Sequence, residues 1–220
     1  MDDNSKRFYD ATAKLYSSRH DNDTGRYIRK RESAMVKKYV QGRAVDVGCG
    51  TGYHMNAERI GIDISHSMLM ECKSSKNLSQ AKAEELPIKT GAFDSAICMF
   101  STLNLCDSGR AAEEMGRILK NKGVAIVSVS GVRDSGKKTK NMRIEGFRMK
   151  TVNFAKKELI ELFRKNGFEL LEFRGLFKMQ RPYWGWHRDF SLIDKTRLLL
   201  DRILPGSMGR MYIAAFRKLK

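Results

Sequence analysis

Residues 44–64, AVDVGCGTGYHMNAERIGIDI, constrain this chain more than any other stretch. A short run that alternates apolar and acidic, Ala44-Val45-Asp46-Val47, passes into Gly48-Cys49-Gly50-Thr51-Gly52, and a second apolar run, Ile60-Gly61-Ile62-Asp63-Ile64, follows. The two runs read as strands. Glycines at alternate positions behind a strand let the main chain adopt positive φ and approach a ligand closely. Asp63 falls 17 positions after Asp46, at the tip of the second strand, where a carboxylate can accept from both hydroxyls of a ribose.

A glycine-rich turn alone also fits dinucleotide-binding proteins, but three further strings stand in order behind it. They are GIDIS at 61–65, AEELPIKTGAFDSAICMF at 83–100 and EMGRILKNKGVAIVSV at 114–129. Together with VDVGCGTG they resemble the motifs of class I S-adenosylmethionine (SAM) dependent methyltransferases of the methyltransferase-11 type. FYDATAKLY at 8–16 resembles the N-terminal segment of the ubiquinone/menaquinone-type members. The resemblance implies a Rossmann-like α/β fold, a doubly wound sheet of about seven mostly parallel strands with an antiparallel last strand. It implies a helical N-terminal cap over residues 1–42 and a SAM-binding domain over 43–220, with a basic and aromatic insertion at 175–208 between strands six and seven. SAM is the implied cofactor, held by Asp46, Gly48, Cys49, Gly50, Gly52, Asp63, Ile64, Met68, Ala83, Glu84 and Met99, with Tyr16 lying over its methionine end.

The chain departs from that pattern at three places. Only six residues separate Gly52 from Arg59, too few for the usual crossover helix, so a short turn or irregular loop is expected there. Lys82 stands where the family has an adenine-binding Asp, and Asn104 where it often has a His. Asn can orient an acceptor but cannot take a proton at neutral pH.

Local signals place the other elements. Helical spacing predicts two cap helices, the second ending near Gly42. Ser65 is a candidate N-cap for a helix carrying Met68, Leu69 and Cys72. Strands are expected at 81–84, 93–100, 124–129, 168–173 and 211–216, and helices at 111–119, 156–166 and 191–204. Residues 131–152 are polar and basic without clear period and read as a loop or short strand. The apolar run at 93–100 suits a parallel strand buried on both faces.

Charge divides unevenly. Residues 1–42 carry a net +4, residues 43–130 carry zero and residues 131–220 carry +13 of the total +17. Such flanks suit an acidic partner, whether RNA, a phosphorylated metabolite or an anionic membrane surface, or are simply a solvated surface. No run of 18 apolar residues predicts a transmembrane helix, and the polar start lacks the pattern of a secretory signal. Four cysteines without CxxC spacing fit reduced thiols in a cytoplasmic protein, and four scattered histidines support no metal site.

Methyl transfer from a sulfonium is an in-line displacement that depends mainly on positioning and on excluding water. A general base is needed only for a hydroxyl or a protonated acceptor, and His187, His54 and Asp107 are the weak candidates. The expected acceptor is acidic or amphipathic, a small molecule or lipid-like compound. RNA is the alternative, because Tyr183, Trp184 and Trp186 could stack bases; the same aromatics could instead meet a membrane surface for a lipid-like acceptor, or form a lid packed on its own domain. A non-catalytic SAM- or RNA-binding protein is the reading from another class, and an NAD-dependent oxidoreductase a distant third.

Overall fold

The computed structural model describes residues 3–74, 76–132, 139–144, 146–177, 190–200 and 209–220. Two helices open the chain, α1 (Asp3–Arg19) and α2 (Asp23–Tyr39). In α2 the buried residues Gly25, Ile28, Glu32, Met35 and Val36 recur at helical spacing, and Asn22 caps its start by accepting the Gly25 N–H at 3.0 Å.

A seven-stranded sheet follows. Its strands are β1 (Ala44–Val47), β2 (Ile60–Asp63), β3 (Leu78–Gln80), β4 (Phe93–Cys98), β5 (Leu119–Ser130), β8 (Phe168–Leu176) and β9 (Met211–Lys218), in the order β3-β2-β1-β4-β5-β9-β8. The β1–β2, β1–β4, β2–β3 and β4–β5 pairs are parallel. Strand β9 runs antiparallel to both β5 and β8. Helices α3 (His66–Glu71), α4 (Ser108–Ile118), α5 (Lys156–Lys165) and α6 (Leu192–Leu200) complete the main body.

The strands separate two cores by simple alternation. Ala125, Val127 and Val129 of β5 join Phe216 of β9 and the apolar sides of α4 and α5 in one cluster. Val124 and Ile126 join Ile213, Ala215 and the buried stripe of α2 in the other. The cap helix α2 is therefore built into the second core. Its end is also tied to the sheet, because Glu172 of β8 accepts from Tyr39 Oη at 2.9 Å and Lys38 Nζ at 2.5 Å. Partial burial alone would raise the Glu172 pKa, but hydrogen bonds from Lys38, Arg174 and Tyr39 hold it at about 2.

Between β1 and β2 the described chain makes only turns, as the short spacing requires. Two expectations are corrected. The third strand is Leu78–Gln80, not 81–84; its pairing with β2 ends at Asp63–Gln80, and the Ala81 N–H then bonds Asp63 O as the chain bends away. Residues 131–152, expected to be a loop or one short strand, hold two, the antiparallel hairpin β6 (Thr139–Ile144) and β7 (Phe147–Val152). On β7, Met149 and Thr151 are buried while Arg148 and Lys150 are exposed. Lysine and arginine occupy the outward positions, which disguised the period-2 pattern in the sequence.

Candidate active site

The glycine loop is fixed at its root, where Gly48 and Cys49 N–H groups donate to Ile62 O at 2.7 and 3.0 Å. Gly48 has φ +75°, and a Cβ there would lie 2.3 Å from Thr102 Oγ1. Gly50 has φ +53°, and a Cβ there would meet nothing within 4 Å, so bare peptide faces open space. From the tip of β2, Asp63 Oδ2 accepts the Gly50 N–H at 2.8 Å and Oδ1 accepts the Ser65 N–H at 2.9 Å. Burial raises the Asp63 pKa, and these backbone hydrogen bonds oppose the rise. Ser65 caps α3 by accepting the Met68 N–H at 3.1 Å and donates to Asp10 Oδ1 of the cap at 2.6 Å.

A cleft of about 560 Å³, counting its open mouth, runs over this loop. Tyr9, Tyr16, Gly48, Gly50, Asp63, Ile64, Met68, Ala83, Glu84, Met99 and Phe100 line it. A second chamber of about 450 Å³ shares Tyr16, Gly48, Gly50, Met99 and Phe100 and adds Arg29, Glu32, Asp46, Cys49, Thr51, Tyr53 and His54. The roof is aromatic: ring centroids of Tyr9–Tyr16, Tyr16–His20 and His20–Phe100 are 6.0, 4.6 and 4.7 Å apart.

Phe100 and Ser101 hold left-handed φ values of 53° and 71° at the end of β4. Such conformations cost non-glycine residues about 1–3 kcal/mol each and concentrate at functional sites. What holds them is a buried polar junction. The Phe100 N–H donates to Ser128 Oγ at 2.7 Å and to Glu32 Oε1 at 3.2 Å, while the Ser128 hydroxyl also donates to Glu32 Oε1. Glu32 Oε2 lies 3.4 Å from His54 Nε2. Glu32 is 1% exposed, so one carboxylate from the cap binds β5, the β4 exit and the glycine loop together.

Asp46 of β1 is 2% exposed, and burial raises its pKa to about 6 against the attraction of His54 and Arg59. The raised value means that its share of stability is present at low pH and is lost as pH rises from the ordinary value of 3.8 through about 6. A cation bound beside Asp46 favours the carboxylate. SAM uptake is therefore expected to release a proton near pH 6, and its affinity to fall as much as about tenfold per pH unit below that. Calorimetry in buffers of different ionisation heat checks this; Asp46→Asn should flatten the profile.

Of the residues singled out from sequence, Tyr16, Gly48, Gly50, Asp63, Ile64, Met68, Ala83, Glu84 and Met99 meet in the cleft, and Asp46, Cys49 and His54 in the second chamber. Gly52 instead packs against Cys72, where a Cβ would lie 2.3 Å from Sγ. Asp107 caps α4, accepting the Gly109 and Arg110 N–H groups at 3.0 and 3.2 Å. Asn104 is spent on structure: Nδ2 donates to Ser130 O and Val152 O at 3.0 and 2.7 Å, and Oδ1 accepts the Ser130 N–H at 2.8 Å. Lys82 is exposed and lines neither chamber. His187, Tyr183, Trp184 and Trp186 lie outside the described residues.

Sequence reading placed Phe100 beside Met99 at the ligand-binding end of the fourth strand, and missed Tyr9, Arg29, Glu32 and Tyr53 as lining residues. Glu32 did carry a signal, a lone acid within the apolar stripe of an amphipathic helix. Within a chain of net charge +17, the described residues lining the two chambers include four carboxylates, Glu32, Asp46, Asp63 and Glu84, against one guanidinium, Arg29. This set fits a nucleoside sulfonium: Asp63 at the place for a ribose, open peptide at Gly50, and carboxylates and aromatic rings for a cation.

Comparison with known proteins agrees. The family model described as "Methyltransferase domain" matches residues 45–127. The chain is 32% identical over 195 residues to the uncharacterized protein MJ1252 of Methanocaldococcus jannaschii, covering 76% of each chain. It is 31% identical over 104 residues to the ubiquinone/menaquinone biosynthesis C-methyltransferase UbiE of Citrifermentans bemidjiense, covering 39% of this chain and 44% of that one. Among solved structures, a SAM-dependent methyltransferase of Thermotoga maritima, described as a possible histamine N-methyltransferase, matches with TM-score 0.65 and 24% identity over 98% of both chains. The [4+2]-cyclase SpnF matches with TM-score 0.69 and 20% identity over 97% of this chain and 94% of that one. At these identities the structural likenesses speak to the fold.

Proposed function

We propose a reaction for a chain that belongs to the class I S-adenosylmethionine-dependent methyltransferases: transfer of a methyl group, by in-line displacement, to an acidic acceptor that enters beneath the aromatic roof of the cap. SAM, the cofactor of this family, supplies an already activated methyl group on a sulfonium. The protein's part is to bind, to orient and to exclude water.

In this reading Asp63 accepts from the ribose hydroxyls, and the Gly48–Gly50 backbone runs along the methionine portion. Ala83 and Glu84 sit where the base would lie, with the Ala83 N–H in place of the family's Asp. Asp46 and Glu32 face the ammonium end and Arg29 the carboxylate end of the amino-acid tail. Tyr16, Met99 and Phe100, common to both chambers, bracket the point where the two halves of the cleft meet. That shared boundary is the place we assign to the transferred methyl group, and it is the single observation that carries the reading. His54 faces the carboxylates of Glu32 and Asp46, which suits a residue that positions the loop better than one that takes a proton from an acceptor. No helix among the described residues is long and apolar enough to cross a membrane. The four cysteines are free thiols, as a reducing cytoplasm would keep them, and we place the protein there.

The test is incubation with methyl-labelled SAM and a cell extract, followed by partition into RNA, lipid and small-molecule fractions. Label in one fraction is expected. SAM uptake with label in none would favour a binding protein without chemistry.

A further inference from the structure

We propose that the acceptor is an unpaired base on a nucleic-acid strand, and that the outer face of the β6–β7 hairpin holds the phosphates of that strand; this rests on the methyl-transfer reading above. Residues 131–152 carry seven Lys/Arg against two Asp/Glu. The hairpin register places Arg143 opposite Arg148 and Asn141 opposite Lys150. Arg148 and Lys150 are exposed on one face, and among the described residues neither has an ion pair. Two residues apart on a strand, they stand about 7 Å from each other, a spacing close to that of successive phosphates. Like charges at directly opposed ladder positions oppose pairing of the strands. A polyanion laid along Arg148 and Lys150 meets two exposed cations that no carboxylate among the described residues pairs with.

The hairpin is joined to the cleft through packed rings. Phe147, at its turn, meets Phe8 of α1 edge-on at 5.8 Å, and Phe8 meets Tyr9, a lining residue of the cleft, at 5.2 Å. Asn104 fastens the far end of β7 to the β5 exit beside the same cleft. A strand on the ribbon therefore runs past the roof, whose tyrosines and Phe100 offer faces on which one base can stack. A target base inside a duplex cannot reach a methyl group held within the cleft, so the base must be unpaired or turned out of its helix.

The ribbon suits a polyanion better than a bilayer. On β7 the outward positions are Arg148 and Lys150 and the apolar Met149 is buried, whereas an interfacial segment needs apolar side chains on its contact face. A small metabolite in the cleft could not also span a six-residue ribbon of about 20 Å.

The experiment measures binding of a fluorescent single-stranded RNA, and of the DNA of the same sequence, by anisotropy across a salt series with SAM present. For the native chain a steep fall with salt is expected. Arg148→Glu with Lys150→Glu should weaken binding at least tenfold and reduce the log–log salt slope by about 1.4, two single-strand phosphate contacts. Arg148→Gln with Lys150→Gln should fall between. Lys157→Glu with Lys165→Glu, the same charge change on the exposed side of α5, should cost less than threefold. Equal losses from the two charge reversals would overturn the proposal, as would a flat salt response. So would binding of anionic phosphatidylglycerol vesicles, but not nucleic acid, that depends on Arg148 and Lys150. SAM calorimetry on the same variants separates the two readings: all should bind SAM as the native chain does, and failure of the native chain to bind SAM would instead sink the methyl-transfer reading.

Discussion

Replacing Asp63 by alanine should weaken SAM binding by a few hundredfold. In the proposed reading the carboxylate accepts from both ribose hydroxyls, and two hydrogen bonds of this kind are worth roughly 3–4 kcal/mol together. The loss has a second source within the protein, because the Gly50 and Ser65 N–H groups both donate to Asp63. Without it, the one open peptide of the glycine loop loses its anchor. Asp63→Asn keeps one carbonyl acceptor and should fall between the two. Titration calorimetry measures both, and the melting temperature of the cofactor-free variants shows whether the fold survives. Undiminished uptake by a folded Asp63→Ala variant would refute the assignment of this residue.

The second large effect belongs to Glu32. Its carboxylate accepts from Ser128 Oγ and the Phe100 N–H and lies beside His54. Alanine would leave the Ser128 hydroxyl and the His54 ring buried without this acceptor, while the Phe100 N–H keeps only Ser128 Oγ, a loss of about 3–5 kcal/mol where whole domains are held by about 5–15 kcal/mol. For a chain of this size that is a fall of roughly 10 °C in melting temperature. Phe100 and Ser101 would also lose part of what keeps them left-handed, so the wall between the two chambers should slacken. Glutamine, which retains the shape, should restore most of the stability while leaving SAM affinity about tenfold low, since in the proposed reading this side chain faces the cationic end of the ligand. Thermal melts read the first effect and calorimetry the second. Equal melting temperatures for Glu32→Ala and the native chain would show that the junction holds nothing.

The contrast between these two residues shows what the sequence made legible. The place of Asp63 at the cleft could be read directly because it is set locally: strand, turn and second strand lie within 20 positions, and their side-chain pattern needs no knowledge of the rest. The same holds for the Ser65 cap and for the short crossover, where a count of residues excludes a helix. Glu32 makes its bonds to residues 68 and 96 positions away, and no periodicity reports that. Only its place on the buried side of α2 hinted at a partner. Asn104 misled for the same reason, since its three bonds are to backbone groups of Ser130 and Val152 in other elements. The hairpin escaped notice because solvent-facing cations and partly hidden polar groups weaken the contrast on which strand recognition depends.

The absence of a helix between β1 and β2 has a consequence for how the protein can be dissected. A helix at that crossover would brace the glycine loop from within its own half of the sheet. Here Thr51 instead leans on Ser17 through a 3.0 Å contact between hydroxyls, and His54 on Glu32, so the first forty residues act as scaffolding for the cofactor grip. The amino-terminal region is thus no detachable lid. Trimming it, or loading it with a bulky fusion, would strip the nucleoside pocket of its buttress along with its cover, and an enzyme so prepared would look inert for reasons unrelated to its choice of acceptor.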